Sequence, residues 1–134
     1  FYRKLPTYNP IMSIGKMRMK GSNKGNATTN YGNYEGKTKV DDQYFPQSVI
    51  DFSNGDRTSE NDHPTQKPLD LIRYLVKTFS NENELVFDGY MGSGTTAHAC
   101  ILEKRNFIGA EMNKEYYEQS IKRLELELCQ PKLF

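Results

Sequence analysis

The residues best suited to chemistry lie in one run, Asp88-Gly89-Tyr90-Met91-Gly92-Ser93-Gly94-Thr95-Thr96, directly after the apolar stretch Glu84-Leu85-Val86-Phe87. A turn that follows a buried strand must be nearly free of side chains if a ligand is to lie against its backbone. Gly89, Gly92 and Gly94 meet that requirement. The N–H groups that open the next helix can then receive the negative end of a ligand. Asp88, at the strand end, is placed to receive a cationic group. A second acid, Glu111, follows Gly94 by seventeen residues and ends the next apolar stretch, Phe107-Ile108-Gly109-Ala110. Nucleoside-binding folds use a carboxylate at this place to accept hydrogen bonds from ribose hydroxyls.

The spacing narrows the ligand. Gly89-Tyr90-Met91-Gly92-Ser93-Gly94 does not fit the G-x-G-x-x-G pattern of dinucleotide sites, which argues against a nicotinamide-dependent oxidoreductase. The carboxylate of Asp88 would repel a pyrophosphate, whereas it suits the ammonium of an amino-acid tail. A nucleoside that carries such a tail is S-adenosylmethionine.

These residues need elements to hold them. Pro68 suits the first turn of a helix, and behind it Leu69, Ile72, Leu75, Val76 and Phe79 recur on one helical face. Ser80-Asn81-Glu82-Asn83 ends that helix, and residues 84–87 read as a short apolar strand. A second helix starts at Thr95 or Thr96, Lys104-Arg105-Asn106 breaks it, and residues 107–110 form a second strand. A last helix carries Tyr117, Ile121, Leu124 and Leu128 along one face. A strand–helix–strand crossover of this length implies parallel strands, hence part of a doubly wound α/β sheet. Residues 8–55 differ, being rich in Gly, Asn, Ser, Thr and Tyr. Segments such as Gly21-Ser22-Asn23-Lys24-Gly25-Asn26 and Tyr31-Gly32-Asn33-Tyr34-Glu35-Gly36 are turn chemistry, and a short strand is expected at Ser48-Val49-Ile50-Asp51-Phe52.

Three strings resemble one family. Val86-Phe87-Asp88-Gly89-Tyr90-Met91-Gly92-Ser93-Gly94-Thr95-Thr96 is similar to the D-P-F-M-G-S-G-T-T motif of DNA methyltransferases that act on exocyclic amino groups. His63-Pro64-Thr65-Gln66-Lys67-Pro68 matches that family's H-P-T-Q-K-P residue for residue. Arg105-Asn106-Phe107-Ile108-Gly109-Ala110-Glu111 resembles its R-x-F-I-G-I-E strand, and Tyr116 with Arg123-Leu124 resembles its Y…R-L helix. The resemblance covers roughly residues 45–125, with Gly89-Tyr90 standing where the family usually has Pro-Phe. The order of motifs is that of the family's β arrangement, in which the catalytic motif and target-recognition region precede the donor site.

The resemblance implies a partial Rossmann-like methyltransferase fold, a doubly wound parallel α/β sheet with an irregular N-terminal recognition region. It implies S-adenosylmethionine as cofactor, with Asp88 at the methionine amino group, Gly89, Tyr90, Met91, Gly92, Ser93 and Gly94 lining the donor, and Glu111 on the ribose. It places Thr65 and Lys67 near the donor carboxylate. The reaction it implies is transfer of the methyl group to a base in DNA, adenine N6 foremost, with N4 of cytosine as the alternative. An exocyclic amine is a poor nucleophile, so the base must be extruded and its nitrogen aligned with the methyl group. The family does this with an Asp/Asn-Pro-Pro-Tyr/Phe motif. The nearest string here, Asn9-Pro10-Ile11, lacks the second proline and the aromatic, so no catalytic residue is assigned. The chain therefore reads as a fragment of a longer enzyme, or as a non-catalytic donor-binding subunit of a split one, inactive alone. Its expected partners are double-stranded DNA and the missing catalytic half or a partner subunit, with a homodimer as an open alternative.

Composition fits this division. Residues 1–40 hold eight Lys/Arg against one acid, a net +7, while residues 41–134 carry a net −6. The expected division is a basic, DNA-facing recognition segment at 1–55 and an S-adenosylmethionine-binding part at 56–134. Within the first, Lys16, Arg18, Lys20 and Lys24, with Tyr31, Tyr34, Lys37 and Lys39, mix cations with aromatics, which suits phosphate contact and groove reading. Cys100 and Cys129 share no metal-like spacing, and His63 and His98 have no nearby partner. No metal site is expected, and the cysteines read as reduced thiols of a cytoplasmic protein; the family resemblance implies a bacterial or phage-encoded protein of the restriction-modification kind. No apolar run approaches the ~18 residues a membrane span needs, so no membrane partner is expected.

Overall fold

The computed structural model describes residues 5–21, 38–53 and 66–129. In chain order the elements are β1 (Ser13–Gly21), β2 (Thr38–Tyr44), α1 (Leu69–Phe79), β3 (Leu85–Asp88), α2 (Thr95–Leu102), β4 (Asn106–Gly109) and α3 (Lys114–Cys129). The chain divides into two compact units, one of Pro10–Ser48 and one of Phe1–Asn9 with Val49–Phe134. Residues 5–9 and 49–53 of the expected basic segment thus belong to the second unit. Among the described residues no helix is long and apolar enough to cross a membrane.

The first unit departs from the loop reading. β1 and β2 pair antiparallel from Ser13↔Tyr44 to Gly21↔Thr38, with a register irregularity between Ile14 and Arg18. The strand signal lies in the alternation Lys16-Met17-Arg18-Met19-Lys20, which the surrounding Gly and Asn content obscures. Gly15 matters for packing, because a Cβ there would lie 2.8 Å from the Tyr44 ring. Conversely, residues 48–52 form no strand. Val49 and Ile50 are exposed there, and Phe52 rests its ring against Tyr74, 5.7 Å between centroids. β-Branched residues favour a strand only where a neighbouring strand receives them, and this segment has none among the described residues.

The second unit follows the expected helix–strand–turn–helix–strand–helix order. β3 and β4 pair in parallel, from Leu85↔Asn106 to Asp88↔Gly109. Val76, Ala99 and Cys100 form the buried core, and Leu69, Ile72, Val86 and Phe107 pack against it. Burying one such valine stabilises by about 1.5–3 kcal/mol. Among the described residues the sheet is covered on that face, while Leu85, Phe87 and Ile108 on the other are 60%, 71% and 54% exposed. Leu75 and Phe79, on the helical face expected from periodicity, line an apolar cleft of about 420 Å³ beside Leu85.

The ends of α1 and α2 explain where these elements stop. Asn9 donates its backbone N–H to the Thr78 carbonyl (2.7 Å) and its amide to the Ser80 carbonyl (3.2 Å), closing α1. The amide next to Pro10 thus serves a helix terminus. Arg105 reaches the same place, donating to Ser80 Oγ (3.2 Å) and the Ser80 carbonyl (2.8 Å). After α2, Lys104 takes a left-handed conformation with φ 58°. Its N–H donates to the Ile101 carbonyl (3.4 Å) and that of Arg105 to the Cys100 carbonyl (2.8 Å). This is the Schellman pattern, with lysine where glycine is usual.

Candidate functional site

β3 delivers Asp88 to its carboxyl end, and the chain turns at once into the glycine run. Asp88 shapes that turn with both oxygens: Oδ1 accepts the Tyr90 N–H (3.0 Å) and Oδ2 accepts the Thr96 hydroxyl (2.6 Å). Gly92 and Gly94 have φ of 51° and 75°, a region that side chains disfavour. At Gly94 a Cβ would also lie 3.0 Å from Ser120 Cβ, so α3 and the turn meet only because position 94 has no side chain. Gly94 then opens α2, its carbonyl accepting the His98 N–H at 2.9 Å.

The second acid joins the same turn. β4 ends at Gly109, and two residues later Glu111 accepts the Gly92 N–H on Oε2 (2.9 Å) and the Asn113 N–H on Oε1 (2.8 Å). Asn113 in turn caps α3, its Oδ1 accepting the N–H of Glu115 (2.9 Å) and of Tyr116 (3.3 Å). One carboxylate thus couples the glycine turn to the start of the last helix.

Around these groups lies a cleft of about 150 Å³. Lys67, Asp88, Tyr90, Met91, Gly92 and Ser93 border it, as do Gln66, Thr95 and Thr96. The residues read from the sequence are therefore brought together, with the following distinctions. Met91 is buried, and a Cβ on Gly109 would lie 2.7 Å from its sulfur, so it supports the turn from within. Tyr90 borders the cleft and is 95% exposed. Gly89, Gly94 and Glu111 adjoin the turn without bordering the cleft. Thr65, with His63 and Pro64, lies outside the described residues. Thr96 ends the run read from the sequence but was given no role there; its hydroxyl donates to Asp88. Sequence reasoning passed over Ser120, which is fully buried under Gly94 although polar.

Two further groups border the core. Cys100 is buried, and burial outweighs the nearby Arg105 guanidinium to push its thiol up to about 11, the Asp88 carboxylate adding to the rise. Burial also holds the His98 imidazole below its ordinary value of 6.5, assisted by Arg123 and Arg73 and opposed by Glu127.

In the first unit, Lys16 and Arg18 are exposed on β1. The Arg18 guanidinium stands 4.0 Å from the centroid of the Tyr44 ring, and the Tyr44 hydroxyl donates to the Lys16 carbonyl at 2.7 Å. Lys39 pairs with Asp41 at 3.0 Å. Lys20 belongs to β1 by its backbone, its side chain not being among the described parts, and Lys24, Tyr31, Tyr34 and Lys37 lie outside the described residues.

Comparison with known proteins bears on both units. A family model of DNA methylases matches residues 6–122. The chain is 48% identical over 64 residues to the type II methyltransferase M1.MboII of Moraxella bovis, covering 48% of this chain and 25% of that protein. It is 40% identical over 86 residues to the DNA adenine methyltransferase YhdJ of Escherichia coli K12, covering 63% of this chain and 29% of that one. The chain thus spans 25% to 29% of the length of these curated relatives. Among solved structures, the PvuII DNA methyltransferase, described as cytosine-N4-specific, aligns with a TM-score of 0.55 at 23% identity, over 67% of this chain and 34% of that one. That likeness supports the methyltransferase fold.

Proposed function

Because this chain belongs to the N6/N4 DNA methylase family, whose model spans residues 6–122, we propose that its cleft holds S-adenosylmethionine. We further propose that the chain is the donor-binding part of an enzyme that methylates an exocyclic amino group of a base in DNA, adenine N6 foremost. One observation carries the reading: a carboxylate, Asp88, and an ammonium, Lys67, border one cleft against a glycine turn. That pair complements an amino-acid zwitterion and not a pyrophosphate. The cleft is smaller than the ~300–1,000 Å³ pockets that enclose whole ligands of this size. It accordingly suits the methionine end of the donor, the nucleoside end extending past the turn toward Glu111.

When bound, S-adenosylmethionine supplies an electrophilic methyl group on a sulfonium. The protein's own residues bind and orient it. Lys67 donates to the carboxylate of the donor, and Asp88 accepts from its ammonium while Thr96 and the Tyr90 N–H hold the Asp88 oxygens in place. Glu111 accepts from the ribose hydroxyls, its tie to Gly92 fixing the acid beside the turn. Tyr90 offers an exposed ring to cover the donor. Thr65 is proposed beside Lys67 on the strength of the sequence resemblance.

The remaining assignments rest on the same family reading. The segment 1–55 is proposed as the DNA-facing region, with Lys16, Arg18, Lys20 and Lys24 on phosphates of double-stranded DNA, and 56–134 as the donor-binding region. The exposed cations of β1 and the Arg18–Tyr44 stack support it. The group that accepts hydrogen bonds from the target amine is proposed to come from a catalytic half or a partner subunit. A bacterial restriction-modification role in the cytoplasm fits the relatives' names.

Titration calorimetry of the 134-residue chain with S-adenosylmethionine tests the donor reading. Saturable binding that is weakened in Asp88→Ala and in Glu111→Ala, and that NAD does not displace, is expected. A folded chain that takes up no S-adenosylmethionine would refute it.

A further inference from the structure

The glycine turn is held from one side by Asp88 and Glu111, but a second set of contacts reaches it from α3. Ser120 lies fully buried beneath Gly94. One turn along the same helix face, Arg123 extends its guanidinium to the Ser93 carbonyl (Nη1–O 3.5 Å) and to the imidazole of His98 on α2 (Nη2–Nδ1 3.3 Å). A guanidinium can only donate, so Nδ1 must accept and the imidazole must be neutral with its proton on Nε2. That proton points at Glu127 Oε2, 3.3 Å away on α3. Both His98 and Glu127 are largely shielded from solvent, their side chains 13% and 24% exposed. The result is an ordered chain of donors and acceptors: Glu127 fixes the imidazole, the imidazole fixes the guanidinium, and the guanidinium holds the carbonyl of a residue that borders the cleft.

We infer that Arg123 is a positioning residue of the donor site, set by the His98–Glu127 pair and acting on the glycine turn through the Ser93 carbonyl. This deepens the donor-site reading and rests on it. The contact with Ser93 is long but charge-assisted, so its role is to bias the turn toward one backbone conformation rather than to bind ligand. The groups facing His98 are Arg123 and Glu127 on α3 and Arg73 on α1. Its neutral form is favoured at pH 7, because burial and the two guanidinium groups hold its pKa below 6.5 against Glu127. Protonation would set an N–H at Nδ1 against the donating guanidinium, break the chain of contacts and release Ser93.

The test joins a ligand-free and a ligand-bound readout on the full chain. Without ligand, nitrogen chemical shifts should show His98 as the Nε2–H tautomer at pH 7.5, and Arg123→Ala should move the amide resonances of Gly92 and Gly94 while the melting curve stays cooperative. With S-adenosylmethionine, Arg123→Ala should weaken binding by about three- to tenfold. The wild-type affinity should fall as pH drops below 6.5, and that step should vanish in Arg123→Ala and in His98→Asn, which keeps an acceptor near Nδ1 but cannot titrate. Should Arg123→Ala fail to fold, the tautomer and His98→Asn still decide. An Nδ1–H tautomer, unmoved Gly92 and Gly94 amides, or a pH step that survives in either variant would overturn the assignment of Arg123. Absence of binding in the wild type alongside the expected tautomer and amide shifts would instead overturn the donor reading and leave Arg123 as a support of the turn.

Discussion

The two compact units use glycine and charge in opposite ways. In the β1–β2 pair, Gly15 makes room for the Tyr44 ring, on which Arg18 stacks, and the cations stay on the surface. In the unit containing β3 and β4, Gly94 makes room for a helix, and the charged groups Asp88, Glu111 and Arg123 turn inward onto the backbone of one loop. The first arrangement leaves its charge at the surface and asks little of the backbone. The second fixes the backbone of a turn that borders a cleft. The difference predicts that the units respond to different substitutions and to different ligands.

The largest effect is expected where the second unit depends on a missing side chain. Gly94→Ala puts a Cβ at φ 75° and 3.0 Å from Ser120 Cβ, which should cost about 2 kcal/mol or more and abolish donor binding. Gly15→Ala, which displaces only the Tyr44 ring, should leave donor binding intact. Thermal melts and titrations of the two variants sharpen the contrast, and equal effects would break it. Next in size, Asp88→Ala removes a charged acceptor and should weaken S-adenosylmethionine binding by roughly 10- to 100-fold. Arg18→Ala should spare donor binding but weaken DNA binding across sequences, lowering the salt dependence by about one unit of slope. Binding isotherms at several salt concentrations read this.

Smaller effects mark the edges of the second unit. The stabilisation from neutral His98 is present above 6.5, its pKa in the unfolded chain, and is lost as pH falls toward the lower folded value. Denaturation at stepwise lower pH should therefore show declining stability, a decline His98→Asn removes. Alkylation at pH 8 should modify exposed Cys129 well before Cys100, whose thiol is buried and raised to about 11. Lys104→Gly, relieving a left-handed lysine, should stabilise by about 1 kcal/mol or less.

The same contrast governs what the sequence made legible. Elements of the second unit announce themselves through apolar runs bounded by glycine and by helix-start residues, so the helices, strands and glycine turn fall within a residue or two of expectation. Asp88 and Glu111 were legible because their places after two strands follow from chemistry. Ser120 was not, because a small polar residue is invisible to a hydrophobic period and its burial is set by the distant Gly94. Leu75 and Phe79 show the converse limit: periodicity shows that a face is apolar without showing what covers it. In the first unit, β1 alternates basic residues with methionine and carries little apolar signal, and only pairing with β2, from Ser13↔Tyr44 to Gly21↔Thr38, defines it. Arg123 illustrates the limit. Its place in a family motif was legible, while its link to Ser93 through helix packing was not.

The most direct test maps both ligands on one protein by amide resonances. On adding S-adenosylmethionine, the amides from Asp88 to Gly94, with those of Lys67 and Glu111, should shift in a saturable manner, while those of β1 and β2 stay in place. Double-stranded DNA should move the β1 and β2 amides instead. Donor-induced shifts absent from the Asp88 turn, or confined to β1 and β2, would contradict the claim that this turn holds the methyl donor.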